Sequence, residues 1–280
     1  MTAESPPELT ALNCSIGYAS WQAGLADASS RGWRRVELWW PFATPEPSAA
    51  EIADLTSTLR SHGQQLVAMN LWAGDMPAGE RGILHRDPLS TAHLSAVASI
   101  SDATSLPRCN LVVGRSGPRL TDAQVERFAE ASAWLSERCD VTVMAEPLSG
   151  MKDYPVRSIG DAQVLLDAAP QAGLLLDIYH LAANHVADHA THHAAHHAAH
   201  HPETPAVGAL ATPEGQEEFW KLVASDMDEL GEGPEHVQVA DLPGRGAPGT
   251  GTLPLGRWVE DLRRRGYRGD IVGEYLPESQ

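Results

Sequence analysis

Short apolar runs alternate with longer mixed stretches along nearly the whole chain. The runs are Ala11–Ile16, Val36–Trp40, Gln65–Asn70, Cys109–Gly114, Val141–Glu146, Leu174–Asp177, His236–Asp241 and Ile271–Glu274. Each has strand length, and most lack the strict polar alternation of a half-exposed strand, so they read as strands buried on both faces. The intervening stretches read as helices: Trp21–Arg31, Ala49–His62, Pro88–Ser105, Thr121–Arg138, Ser158–Ala169, Gln216–Leu230 and Leu255–Arg265. Ser48 and Thr121 stand where N-caps belong, and Gly32 and Gly63 where helices stop. Strand–helix alternation implies a parallel sheet with right-handed crossovers. Eight such repeats in 280 residues favour an α/β fold of the closed (β/α)8 type, a TIM barrel, as a single domain over residues 1–280. No glycine-rich dinucleotide fingerprint follows the first strand, which argues against an open sheet. The chain ends too soon after strand eight for a full eighth helix.

The rhythm breaks after strand six. Histidines recur at His185, His189, His193, His197 and His201, with a second series at His192, His196 and His200, and alanines fill most gaps. The expectation is a low-complexity insertion over 185–213, between strand six and its helix. A Zn²⁺, Ni²⁺ or Cu²⁺ site, a lid or a homo-oligomer contact are the alternatives, since histidines at i,i+4 can share a metal.

Four consecutive strands in the second half deliver one oxygen donor each near their C-terminal ends: Glu146, Asp177, Gln238 and Glu274. A carboxylate at the exit of a buried strand is costly to desolvate unless a cation or hydrogen bonds offset it. Any one of these acids alone reads more readily as a helix cap or loop ion pair. In a closed parallel barrel, however, all strand C-termini share one face, which holds the active site. Four donors at one topological position then form a hard, all-oxygen set suited to Mg²⁺ or Mn²⁺. Without a cation, three gathered acids would raise one another's pKa.

Net charge is −17 with histidine neutral, which disfavours a nucleic-acid partner, since phosphate binding needs a basic surface. Cys14, Cys109 and Cys139 lack metal-type spacing and read as reduced thiols. Residues 1–9 have no apolar leader core, and no apolar run is long enough for a membrane span. A cytoplasmic location is the expectation.

Several motifs resemble the hydroxypyruvate isomerase family, within the xylose isomerase-like barrel superfamily. They are Asn70-Leu71-Trp72-Ala73-Gly74-Asp75 with Ala78-Gly79-Glu80-Arg81-Gly82, Glu146-Pro147, and Asp177-Ile178-Tyr179-His180. His236-Val237-Gln238-Val239-Ala240, Leu242-Pro243-Gly244-Arg245 with Pro248-Gly249-Thr250-Gly251, and Gly273-Glu274-Tyr275 complete the set. The resemblance runs from about Leu12 to Pro277, and the glutamine in the third ligand position separates this family from epimerases that carry histidine there. It implies Glu146, Asp177, Gln238 and Glu274 as metal ligands, Glu146 and Glu274 as the acid–base pair, and His180 and Arg245 as substrate contacts. Thr252 and Leu255 depart from the family pattern, which usually has an acid and an aromatic in that loop.

The implied activity is interconversion of hydroxypyruvate and tartronate semialdehyde through an enediolate, on a small anionic hydroxy-carbonyl substrate. Arg245 would hold the substrate carboxylate and His180 the developing alkoxide, with Asn70 on a substrate-covering loop that also carries Asp75, Glu80 and Arg81. Trp39, Trp40 and Trp72 would wall the pocket, and Arg115 or Lys152 could meet an anion. An isomerase or epimerase of a related sugar acid, such as a 2-oxo-tetronate with or without phosphate, is the alternative. A DNA-repair endonuclease of the same superfamily and a non-catalytic histidine-based metal binder are the readings from other classes.

Overall fold

Every apolar run supplies a strand, and the strands close on themselves. The computed structural model describes residues 5–196 and 208–277. Strands β1 (Ala11–Asn13), β2 (Arg35–Leu38), β3 (Gln65–Asn70), β4 (Arg108–Asn110), β5 (Thr142–Ala145), β6 (Gly173–Asp177), β7 (His236–Val239) and β8 (Ile271–Gly273) lie in sequence order around a closed parallel barrel. Closure pairs Ala11 with Val272 and Leu12 with Gly273. Register sets Asn13 beside Glu37 and Asp177 beside Gln238, so polar residues of neighbouring strands stand at one level.

Helices α1 (Trp21–Ser30), α2 (Ala49–His62), α3 (Thr91–Thr104), α4 (Asp122–Arg138), α5 (Ile159–Ala168), α6 (Ile178–His196), α7 (Pro213–Leu230) and α8 (Leu255–Arg264) follow the strands. Leu25, Leu55, Ile100, Phe128, Leu165 and Trp258 are fully buried on their inner faces and form one continuous core with the outward side chains of the strands. Two small sets, Ala11–Val67–Val272 and Ala68–Met144–Leu175, pack apart from it. Each joins strands that are not all neighbours, so they fill the barrel interior. Caps place the helices. Thr121 and Ser158 form reciprocal capping boxes with Gln124 and Asp161, and Gly63 ends α2 at φ 61°, a left-handed turn that glycine adopts freely.

Several expectations change, among them that strands two and four end at Leu38 and Asn110, short of Trp40 and Gly114. Strand one ends at Asn13, not Ile16, because Asn13 Oδ1 accepts the N–H groups of Ser15 and Ile16 and turns the chain out of the sheet. Helix α3 starts at Thr91, because Ser90 takes the His93 N–H and leaves Pro88 outside. The histidine-rich stretch does not begin as an insertion before a helix: α6 starts directly at Ile178 and runs to His196. Ile178, Leu181, Ala182 and Val186 supply its buried face, so the first rungs of the ladder continue an amphipathic helix. A 3-10 turn at Gly208–Leu210 then leads into α7. The sixth repeat thus carries two helices, and β8 is followed by none among the described residues. His197, His200 and His201 lie outside the described residues.

Candidate active site

At the C-terminal mouth of the barrel each strand carries a polar side chain within one residue of its last position. Around the ring these are Asn13, Glu37, Asn70, Asn110, Glu146, Asp177, Gln238 and Glu274. All but Asn70 are buried. Of the expected residues, Glu146, Gln238, Glu274, His180, Arg245 and Asn70 line one cavity of about 260 Å³, and Asp177 lies against it through Arg245 and His180.

Asp177 does two jobs. Its Oδ1 accepts the N–H groups of Tyr179 (2.8 Å) and His180 (3.3 Å), opening α6, while its Oδ2 faces the Arg245 guanidinium at 3.3 Å. Glu146 Oε2 accepts from Asn110 Nδ2 at 2.6 Å. Glu274 Oε1 accepts from Trp39 Nε1 (2.7 Å) and Asn13 Nδ2 (3.2 Å), and its Oε2 from Arg245 Nη2 (2.6 Å). Arg245 reaches the mouth from a left-handed backbone, φ 58°, which costs a non-glycine residue about 1–2 kcal/mol. The loop that carries it is tied down by Asp241, whose carboxylate accepts the N–H groups of Leu242, Gly249, Gly251 and Leu253.

Sequence reasoning missed Glu37. It is 1% exposed and accepts from Gln238 Nε2 and from Asn13 Nδ2 at 2.7 Å, with His236 Nε2 at 2.7 Å from its other oxygen. The Gln238 amide nitrogen is committed to Glu37, and its carbonyl oxygen is buried without a hydrogen-bond partner among the described residues. An orphaned buried acceptor costs about 1–3 kcal/mol, which a bound cation would offset.

The electrostatics agree. Burial, then Glu274 and Asp177, push the Glu146 carboxyl well above its usual range. Burial pushes Glu274 up to about 8, with Arg245 opposing and Glu37 and Asp177 adding. Such acids call for more positive charge than Arg245 supplies. Glu146, Asp177 and His180 offer donor atoms that all lie within 4.8 Å of one another, enough for a shared cation. For His180 the hydrogen bonds add a restriction. Ser149 N donates to its Nδ1 at 3.1 Å, so the neutral ring carries its proton on Nε2. Burial holds the His180 pKa down to about 4, which keeps the ring neutral. Its Nε2–H then points at Asp177 (3.5 Å) and Glu146 (3.9 Å), the posture of a donor to oxygen. The oxygen set of Glu146, Asp177, Gln238 and Glu274 therefore fits a hard divalent ion better than a set that includes the ring nitrogen.

A second cavity, about 900 Å³, adjoins the first and shares Trp39, Ala73, Met76 and Arg81 with it. Trp40, Phe42 and Trp72 wall it. Arg115 pairs with Asp153, Lys152 is exposed, Thr252 is spent on the Leu242 carbonyl, and Leu255 is buried. No described helix is long and apolar enough to cross a membrane.

The sequence matches the family model of the xylose isomerase-like TIM barrel over residues 25–279. The chain belongs to this family. A Streptomyces coelicolor protein that carries the name of a candidate hydroxypyruvate isomerase is 28% identical over 269 residues, covering 90% of this chain and 84% of that protein. The hydroxypyruvate isomerase of Escherichia coli K12 is 24% identical over 280 residues, covering 96% and 92%. Among solved structures, an AP endonuclease, family 2, from Brucella melitensis superposes with a TM-score of 0.72 at 20% identity, covering 99% of this chain and 95% of that one. At that identity the likeness concerns the barrel alone. The xylose isomerase-like assignment agrees with the closed barrel and with a site on its C-terminal face.

Proposed function

We propose that the protein is a divalent-metal-dependent isomerase that interconverts hydroxypyruvate and tartronate semialdehyde. The observation that carries this is the pair of buried glutamates, Glu146 and Glu274, which line one small cavity beside the Gln238 amide oxygen, unpartnered among the described residues. Glu146, Asp177, Gln238 and Glu274 would hold Mg²⁺ or Mn²⁺. When bound, the ion polarises the substrate carbonyl as a Lewis acid.

The chain supplies the proton chemistry. Four N–H contacts steady the Glu274 region: Trp39 and Asn13 on one oxygen, Arg245 on the other, and Arg245 Nε on the backbone carbonyl. The three on the carboxylate oppose the burial that raises its pKa, and a bound cation would add to them, so Glu274 is assigned as the base that removes the proton from the hydroxyl-bearing carbon. Glu146 has Asn110 as its hydrogen-bond donor and two acids raising its pKa, so it carries the proton that goes to the neighbouring carbon. The hydroxyl proton passes from one oxygen of the enediolate to the other, and His180 Nε2–H stabilises the oxygen that bears charge. Trp39 and Met76 on the pocket wall exclude water from this exchange.

The substrate class is a small anionic hydroxy-carbonyl compound. A second reading, an isomerase or epimerase of a longer sugar acid such as a 2-oxo-tetronate, is favoured by the larger adjoining cavity. An endonuclease is disfavoured by the net charge of −17. The test is product analysis with hydroxypyruvate and a 2-oxo-tetronate, before and after thorough chelation. The expected result is tartronate semialdehyde, formed only when Mg²⁺ or Mn²⁺ is restored. Full turnover after chelation would end the metal-dependent reading.

A further inference from the structure

Arg245, the arginine that the sequence points to as the carboxylate holder, is already spent. Its guanidinium donates to the Glu274 and Asp177 carboxylates and to the Glu274 backbone carbonyl. Another arginine at the same mouth is differently placed. Arg81 sits in the loop after β3 and lines both the 260 Å³ cavity and the 900 Å³ cavity. It is partly buried, and its Nη1 donates to two backbone carbonyls, Met76 O at 3.2 Å and Glu80 O at 2.6 Å. No carboxylate pairs with it among the described residues.

The acids that could have neutralised Arg81 are committed elsewhere. Glu80 pairs with Arg86 and accepts the Asp75 N–H, Asp75 Oδ1 accepts the Ala78 N–H, and Asp153 pairs with Arg115. Burial and the Arg115 charge both act against the Arg81 cation. Its field also reaches His180 in the catalytic pocket. A half-buried guanidinium with a free donor edge, at the junction of two cavities, is built for an oxyanion that arrives with the ligand.

We propose that Arg81 is the residue that receives the oxyanion of the substrate, a carboxylate or a phosphate. This rests on the isomerase reading only for the other end of the molecule, the hydroxy-carbonyl group, which then lies among Glu146, Gln238 and Glu274. The acidic cluster and Arg81 line one pocket, and the substrate spans them. The shared walls Trp39 and Met76 leave the oxyanion end open to the larger cavity, so chains longer than three carbons fit the same arrangement.

The experiment uses the full-length, Mn²⁺-loaded protein and its Arg81→Gln and Arg81→Lys variants, with calorimetric titration of three non-isomerisable probes. Tartronate has two carboxylates, glycolate lacks the second, and 3-phosphoglycerate keeps the hydroxy-acid end and carries a phosphate beyond it. In Arg81→Gln, loss of a charge-assisted pair weakens tartronate or 3-phosphoglycerate about 10- to 100-fold while glycolate changes less than about threefold. The probe that loses more identifies the anion as carboxylate or phosphate, and Arg81→Lys restores part of the loss. Equal weakening of all three probes, or of none, overturns the proposal. Hydroxypyruvate turnover by the unaltered protein is read separately. Absent turnover with the probe preference intact sinks the isomerase reading and leaves the Arg81 subsite standing; turnover with probe binding indifferent to Arg81 does the reverse.

Discussion

Burial pushes the Glu274 carboxyl up to about 8 in the metal-free protein, from an ordinary value of 4.5. Between those values the folded chain holds a proton that the unfolded chain releases. The contribution of Glu274 to stability is therefore fully present below about pH 4.5 and is lost as pH rises toward about 8. Thermal melting in chelator should show Tm falling across that window, with a shallower slope in Glu274→Gln; a flat profile in the unaltered protein would contradict the burial of this acid. Glu37 makes a second residue-scale prediction. Glu37→Leu strands the buried donors of Gln238 and Asn13, at about 1–3 kcal/mol each. Chemical denaturation should show destabilisation of at least about 2 kcal/mol, and an unchanged midpoint would deny the network. Why Glu146, Asp177, Gln238 and Glu274 were legible in the sequence, and Asn13, Glu37 and Asn110 were not, has a simple cause. The chain stays largely apolar past the last three, in Cys14-Ser15-Ile16, Leu38-Trp39-Trp40 and Leu111-Val112-Val113. The strand ends were hidden inside longer apolar runs.

At the scale of elements, local chemistry decided which boundaries could be read. Helix α2 begins and ends where Ser48 and Gly63 say it should. Helix α6 could not be read, because its alanines and histidines blur into the low-complexity tract, and only the spacing of Ile178, Leu181, Ala182 and Val186 marks a buried face. Within the described part of the ladder, the His185 and His189 rings lie 4.4 Å apart, and His185 packs on Phe219 of α7. The caps are separable from the chemistry. Ser158→Ala removes the side-chain acceptor for Asp161 N at the start of α5 and should cost about 1 kcal/mol in urea denaturation. Mn²⁺ affinity should stay unchanged, since the Ser158 side chain bonds only Asp161 among the described residues. A parallel loss of metal binding would mean that the mouth depends on α5 more closely than these contacts allow.

For the whole molecule, barrel closure is what turns eight separate strand ends into one site. The donors come from β5 to β8 and the acceptor that orients Gln238 from β2, across the barrel. No local stretch contains that arrangement, which is why the convergence of the four oxygen donors on one mouth could be anticipated from topology while their supporting contacts could not. The most direct measurement is calorimetric titration of Mn²⁺ into the chelator-stripped protein, compared with Gln238→Leu. The expected result is a single high-affinity site in the unaltered protein, weakened at least about tenfold when the amide oxygen is removed, in keeping with the roughly 1.4 kcal/mol that each tenfold represents. Equal affinity in the two proteins, or no saturable site in either, would contradict a cation held by this ring of oxygens.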